Sequence, residues 1–187
     1  IGTEGNCFYC SNSYSGIYMM TRHLESCEKR KNFYIEMNKK LGVSFISSYI
    51  PRQCGIATFT NDLSSAFNSI SNGHEMTSSV TALNDVPEGY KYTKEVKFEI
   101  KDKSINDFKE AAYYLNLSDK DLINLQHEFG LYGGEAGSHI LYLLENLKKP
   151  VVTTFHTVLE NPDEDQLKVI EEISRYSSYL IVQSDRS

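Results

Sequence analysis

The sequence predicts an α/β fold built on a mostly parallel, doubly wound sheet, and three observations carry that expectation. From residue 41 onward, short apolar runs of strand length alternate with longer helix-like stretches, the pattern that interleaves strands with crossover helices. Several of those runs, such as "PVVTTF" (150–155) and "SYLIVQS" (178–184), are rich in β-branched and aromatic residues. The chemically informative residues also follow the runs directly, and in such sheets ligands sit beyond the carboxyl ends of the strands, near the point where strand order reverses.

Ahead of the first strand stands a different kind of segment, "CFYCSNSYSGIYMMTRHLESC" (7–27), which spends three of the four cysteines and one of the five histidines. Cys7 and Cys10 form a CxxC knuckle, and after twelve residues His23 and Cys27 follow as HxxxC. Residues four apart share a helix face, so His23 and Cys27 can meet the two knuckle thiolates around one tetrahedral zinc ion. Tyr14 and Met20 stand at the two core positions of a ββα layout, and the helix ends in Lys and Arg, where its dipole favours cations. The segment resembles the ββα zinc-finger family, with Cys in place of the last His. A redox role for the CxxC is weaker, because no strand of a βαβ redox fold precedes it.

In that register the base-reading positions fall on Gly16, Met19 and Arg22, of which only Arg22 is a strong hydrogen-bonding reader. Weak nucleic-acid contact, protein docking through Ile17, Tyr18 and Met19, and a metal-stapled extension with no partner all stay open. The reading divides the chain into a finger at 1–31, a connector at 32–41 and a larger domain at 42–187.

Within that domain "LGVSFISSY" opens the sheet. A helix follows near 57–72, strands near 76–83 and 92–100, a helix near 104–117 and a strand at 121–126. A helix at 137–148, a strand at 150–155, a helix at about 163–176 and the strand "SYLIVQS" complete the order. In "ENPDEDQ" (160–166), Asn161 is expected to cap the helix, with Pro162 at its first position and acids in its first turn. That accounts for "DED" without a metal site.

The 187 residues leave room for a main domain of about 150 residues, enough to bury a proper core without disulfides. Few cysteines and no hydrophobic export segment at the start point to a reducing, cytoplasmic setting. No apolar run reaches the length of a membrane span. Residues 1–40 carry six Lys/Arg against four Asp/Glu, and residues 41–187 carry 13 against 21. An acidic body argues against broad binding to a phosphate backbone, which needs excess cations.

Three loops carry the candidate chemistry. In "IPRQCGIATFTNDL" (50–63), Gly55 lets the backbone approach a ligand, and the amides opening the next helix can hold an anion. Cys54 there reads as a small space-filling thiol, since nothing nearby activates it. In "NLQHEFGLYGGEAGSHIL" (124–141), His127 stands at a strand end with its imidazole expected to face the crevice, followed by Glu128 and several glycines. "HEFGL" is not HExxH, which excludes a zincin site. In "KPVVTTFHTVLENP" (149–162), His156 and Thr157 occupy another strand end.

Together these three stretches resemble the N-terminal half of a family 4 glycosyltransferase, with the GT-B architecture of two facing Rossmann-like domains, over roughly residues 42–187. The resemblance implies a retaining sugar transfer from a nucleotide-sugar donor to an acceptor, with no metal required for transfer. It implies that Gly55 and Ile56 face the donor diphosphate and that His127 sits at the reacting sugar. Glu128, Gly133, Gly134, His156 and Thr157 then line the substrate and acceptor side. The family continues, beyond the point matching Ser187, into a second domain carrying most of the nucleotide-sugar site, so 187 residues are expected to be inactive alone.

Two rival functions stand beside it. A zinc-finger protein whose Rossmann-like body binds a nucleotide or sugar without turnover fits the same residues. A dinucleotide oxidoreductase, argued from "GGEAG", fits poorly, since those glycines lie several residues beyond the strand end and do not spell GxGxxG.

Overall fold

The computed structural model describes residues 41–70 and 76–183. The finger at 1–31 and all but the last residue of the connector lie outside the described residues. The elements are β1 (Leu41–Ser47), α1 (Gly55–Ser69), β2 (Met76–Asn84), β3 (Val96–Lys101), α2 (Ile105–Leu117), β4 (Leu122–His127), α3 (Ile140–Leu144), β5 (Val151–Phe155), α4 (Glu164–Tyr176) and β6 (Tyr179–Val182). A single 3-10 turn, Glu135–Gly137, precedes α3.

The six strands form one sheet in the order β3-β2-β1-β4-β5-β6. All five pairings are parallel. This is an α/β fold of Rossmann-like type. Strand order reverses at β1, so the crevice between the ends of β1 and β4 is the topological switch point.

Alternation along the strands decides which side chain meets which layer. Val43 and Phe45 of β1, with Val80 and Ala82 of β2, pack beneath α1 through Leu63 and Phe67. The opposite face carries the larger core: Ile46, Leu83, Ile100, Ile123 and Leu125 bury against Phe108 and Leu115 of α2, Ile140 and Leu143 of α3, and Val169 and Ile173 of α4. Among the described residues one helix therefore covers one face and three cover the other. Beside α1 this leaves an open, mostly apolar groove of about 500 Å³, with Asn124 and Thr154 among its lining residues.

Several expectations shift. The third strand begins at Val96 rather than near 92, because the Val96 N–H closes a turn onto Thr93 and the Tyr92 hydroxyl donates to Asn84 Oδ1 at 2.7 Å. The helix expected over 137–148 shrinks to five residues, since Gly137 takes a φ of +77° and cannot continue a right-handed turn. The cap of α4 is Asp163, not Asn161. Its carboxylate accepts from the Gln166 N–H, and the Gln166 side chain accepts from the Asp163 N–H, a reciprocal box that satisfies two orphan donors.

Candidate functional site at the carboxyl ends of β1, β4 and β5

The chain leaves β1 through Ser48 and Tyr49, passes a cis Ile50–Pro51 bond and turns back as the Arg52 N–H donates to the Tyr49 carbonyl. Cys54 caps α1: its Sγ accepts from the Ala57 N–H at 3.3 Å and lies 3.2 Å from Ser48 Oγ. The thiol therefore terminates a helix, a more specific task than filling space. With Ala57 and Thr58 served by Cys54, the amides of Gly55 and Ile56 are the donors of this first turn that find no acceptor among the described residues. A Cβ at Gly55 would meet nothing within 4 Å, so this backbone is open. Ile56 points the other way and packs against the larger core.

Arg52, absent from the sequence expectations, reaches across to the end of β2. Its Nη2 pairs with Asp85 Oδ2 at 3.0 Å, and Asp85 Oδ1 also accepts from the Tyr90 hydroxyl. Its Nη1 is buried without a hydrogen-bond partner among the described residues.

At the end of β4 the expectation for His127 requires correction. Its ring is fully buried and does not face an open crevice. It shares a strand face with Ile123 and Leu125, and in the β4–β5 register it sits opposite Phe155. Phe129 and Phe155 present their rings edge-on at 5.1 and 5.2 Å, and Tyr132 stacks parallel at 6.0 Å. Neither ring nitrogen has a hydrogen-bond partner among the described residues. Burial, with a smaller repulsion from His156, pulls its pKa down to about 4, so the imidazole is neutral near pH 7.

The loop after His127 is fixed by its packing against Asp102 and His139. Gly133 and Gly134 have φ values of +65° and +71°, and a Cβ at Gly133 would stand 2.1 Å from the Asp102 carbonyl oxygen. At Gly134 it would stand 2.6 Å from the His139 ring. His139 Nδ1 in turn lies 2.9 Å from the Asp102 carbonyl oxygen. Left-handed backbone and close approach therefore explain both glycines without a ligand. Glu128 is also engaged within the chain, accepting from the Thr157 hydroxyl at 2.6 Å and from the Phe129 N–H at 3.1 Å.

His156, one residue past the partner of His127, falls on the opposite face of the sheet, with Gln126 and Thr154. Its Nε2 lies 2.7 Å from Gln126 Oε1 and its Nδ1 lies 3.1 Å from Gln183 Nε2. Phe59 of α1 stands edge-on to the ring at 5.0 Å. Burial lowers its pKa and Glu128 partly offsets that.

The two histidines are thus brought to adjacent strand ends and separated by the sheet, one in an aromatic box under the three-helix layer, the other in a polar chain under α1. Gln126 and Gln183 were missed. The period-two pattern of "NLQHEF" carried a signal for Gln126, since it shares a face with Asn124. Nothing local marked Gln183.

Among the described residues no group of three or more His, Cys, Asp or Glu side chains is arranged to hold a metal ion. The candidate zinc ligands Cys7, Cys10, His23 and Cys27 lie outside the described residues. No described helix is long and apolar enough to cross a membrane. No family model and no curated protein matches this chain.

Proposed function

We propose that residues 42–187 are the acceptor-side domain of a retaining GT-B glycosyltransferase, joined to an N-terminal structural zinc finger. The observation that carries the reading is that the three stretches resembling the family run out from the carboxyl ends of β1, β4 and β5, three neighbouring strands at the switch point of the sheet. Free amides at Gly55 and Ile56 suit a diphosphate, because the first turn of a helix combines unpaired donors with a favourable dipole. His156 and Thr157 then address the acceptor. His127 meets the reacting sugar only if the Phe129–Tyr132 segment opens, and its two unpartnered nitrogens favour a polar partner arriving there.

The test is sugar transfer by the protein encoded by the whole reading frame that contains these residues, offered a panel of nucleoside-diphosphate sugars. Transfer with retained anomeric configuration is expected, and residues 1–187 alone should show none, because such a reaction closes a crevice between two domains. Turnover by residues 1–187 alone, or a reading frame without a second nucleotide-binding domain, sinks the proposal. The burial of His127 favours a second reading, a zinc-finger protein whose Rossmann-like body binds a nucleotide or sugar without turnover. Binding with no transfer by the full reading frame would select it.

A further inference from the structure

We propose that Gln126 is a positioning residue that holds His156 as its Nε2–H tautomer, making Nδ1 a hydrogen-bond acceptor for a substrate hydroxyl whose place is kept by the Gln183 amide. The substrate half of this inference rests on the acceptor-side reading above; the tautomer half does not.

Gln126 is fully buried on β4. Its amide nitrogen is turned toward Asn124 Oδ1 and lies 3.5 Å from Thr154 Oγ1. An amide that donates in that direction offers His156 only its oxygen, at 2.7 Å from Nε2. That contact is a hydrogen bond only if Nε2 carries the proton, so the lone pair is left on Nδ1. Gln183 Nε2 donates to it at 3.1 Å.

The two glutamines differ in permanence. Gln126 is anchored in the sheet, whereas Gln183 is exposed past the end of β6, so its donor can be exchanged for another. The edge-on ring of Phe59 limits the imidazole plane while that exchange occurs. A neutral imidazole with its only N–H already committed can accept from an O–H but has nothing to give a phosphate or carboxylate. The site therefore selects a hydroxyl over an anion. Glu128, the nearby carboxylate, is tied to Thr157 and the Phe129 amide.

The experiment is ¹⁵N NMR of the 187-residue chain with labelled histidine, at pH 7.5, with the His156 signals assigned by their loss in His156→Phe. The expected result is a pyridine-type Nδ1 and a pyrrole-type Nε2. Gln126→Met should convert this to a tautomer mixture, and Gln126→Glu, which keeps the acceptor oxygen, should restore Nε2–H. In Gln183→Ala, methyl glucoside should move the Nδ1 signal upfield and inorganic phosphate should not. A proton on Nδ1 in the wild-type chain, meaning both amides are turned the other way, overturns the proposal. So does a tautomer indifferent to Gln126→Met, or an Nδ1 signal that answers phosphate or ignores the sugar. Should Gln126→Met fail to fold, the wild-type tautomer decides the positioning role. None of these readouts needs turnover, so failure here and failure of the transferase reading are seen separately.

Discussion

The imidazole of His127 lies parallel to the ring of Tyr132, 6.0 Å between centroids and 7° between planes. Tyr132 is itself fully buried, its hydroxyl donating to the Gln126 carbonyl at 2.6 Å, with the Ile46 carbonyl at 3.2 Å. The phenol satisfies its polar atom at the expense of none of its stacking surface. The imidazole has no such outlet among the described residues.

Stability should therefore depend on the charge of His127. Its folded pKa, about 4, lies below the ordinary 6.5, so the unfolded chain binds the extra proton between those values. Folding is unpenalised above about pH 6.5 and loses stability as the pH falls toward 4, by up to about 3 kcal/mol. Urea unfolding at pH 4.5 and 7.5 measures the difference, and His127→Leu should flatten it. An unchanged slope in that variant would assign the acid sensitivity to other groups.

The same position separates packing from catalysis. His127→Ala should lower stability by roughly 2–3 kcal/mol through the cavity it leaves, and His127→Leu should recover most of that, since no hydrogen bond is lost. If the transferase reading holds, both variants should lower turnover by the protein of the whole reading frame by roughly 100-fold or more. Near-normal turnover in the leucine variant would make His127 a core residue only.

Glycine substitutions should divide the two loops. Gly133→Ala and Gly134→Ala should each cost about 1–3 kcal/mol, because both need positive φ and meet atoms closer than a Cβ tolerates. Gly55→Ala, with open space around it, should leave the thermal midpoint unchanged or slightly raised. If Gly55 faces a donor diphosphate, that same variant should weaken nucleotide-sugar binding by the protein of the whole reading frame. A midpoint drop for Gly55→Ala would show instead that its role is structural.

Capping of α4 offers a cheap check of local structure. Asp163→Ala should cost about 1 kcal/mol, and Asn161→Ala close to nothing, as read by thermal or urea unfolding. The reverse ranking would return the helix start to Asn161.

One zinc ion per chain is expected from elemental analysis, held by Cys7, Cys10, His23 and Cys27 and released as acid protonates the ligands. Chelation should leave the unfolding of the larger domain unchanged, because that domain buries its own core. A metal-free protein, or zinc retained after Cys7→Ser with Cys10→Ser, would remove the finger assignment.

The sequence by itself determined the α/β class, the order of the elements and which loops follow which strands. Those are matters of local periodicity and turn chemistry: "PVVTTF" reads as a strand and "SINDFKEAAYYLNL" as a capped helix whatever surrounds them. It did not determine where a strand-end side chain points. His127 and His156 both stand at the ends of strand-like runs, but parallel pairing sets His127 opposite Phe155 and places His156 one step later. With a side-chain period of two, that single step sends one imidazole into an aromatic core and the other into a polar chain with Gln126. The fates of Gly133 and Gly134 were likewise decided by Asp102 and His139, residues from outside their own turn. Local pattern specifies an element because its interactions are near in sequence. The environment of a residue at its edge is specified by neighbours that only the assembled sheet brings close.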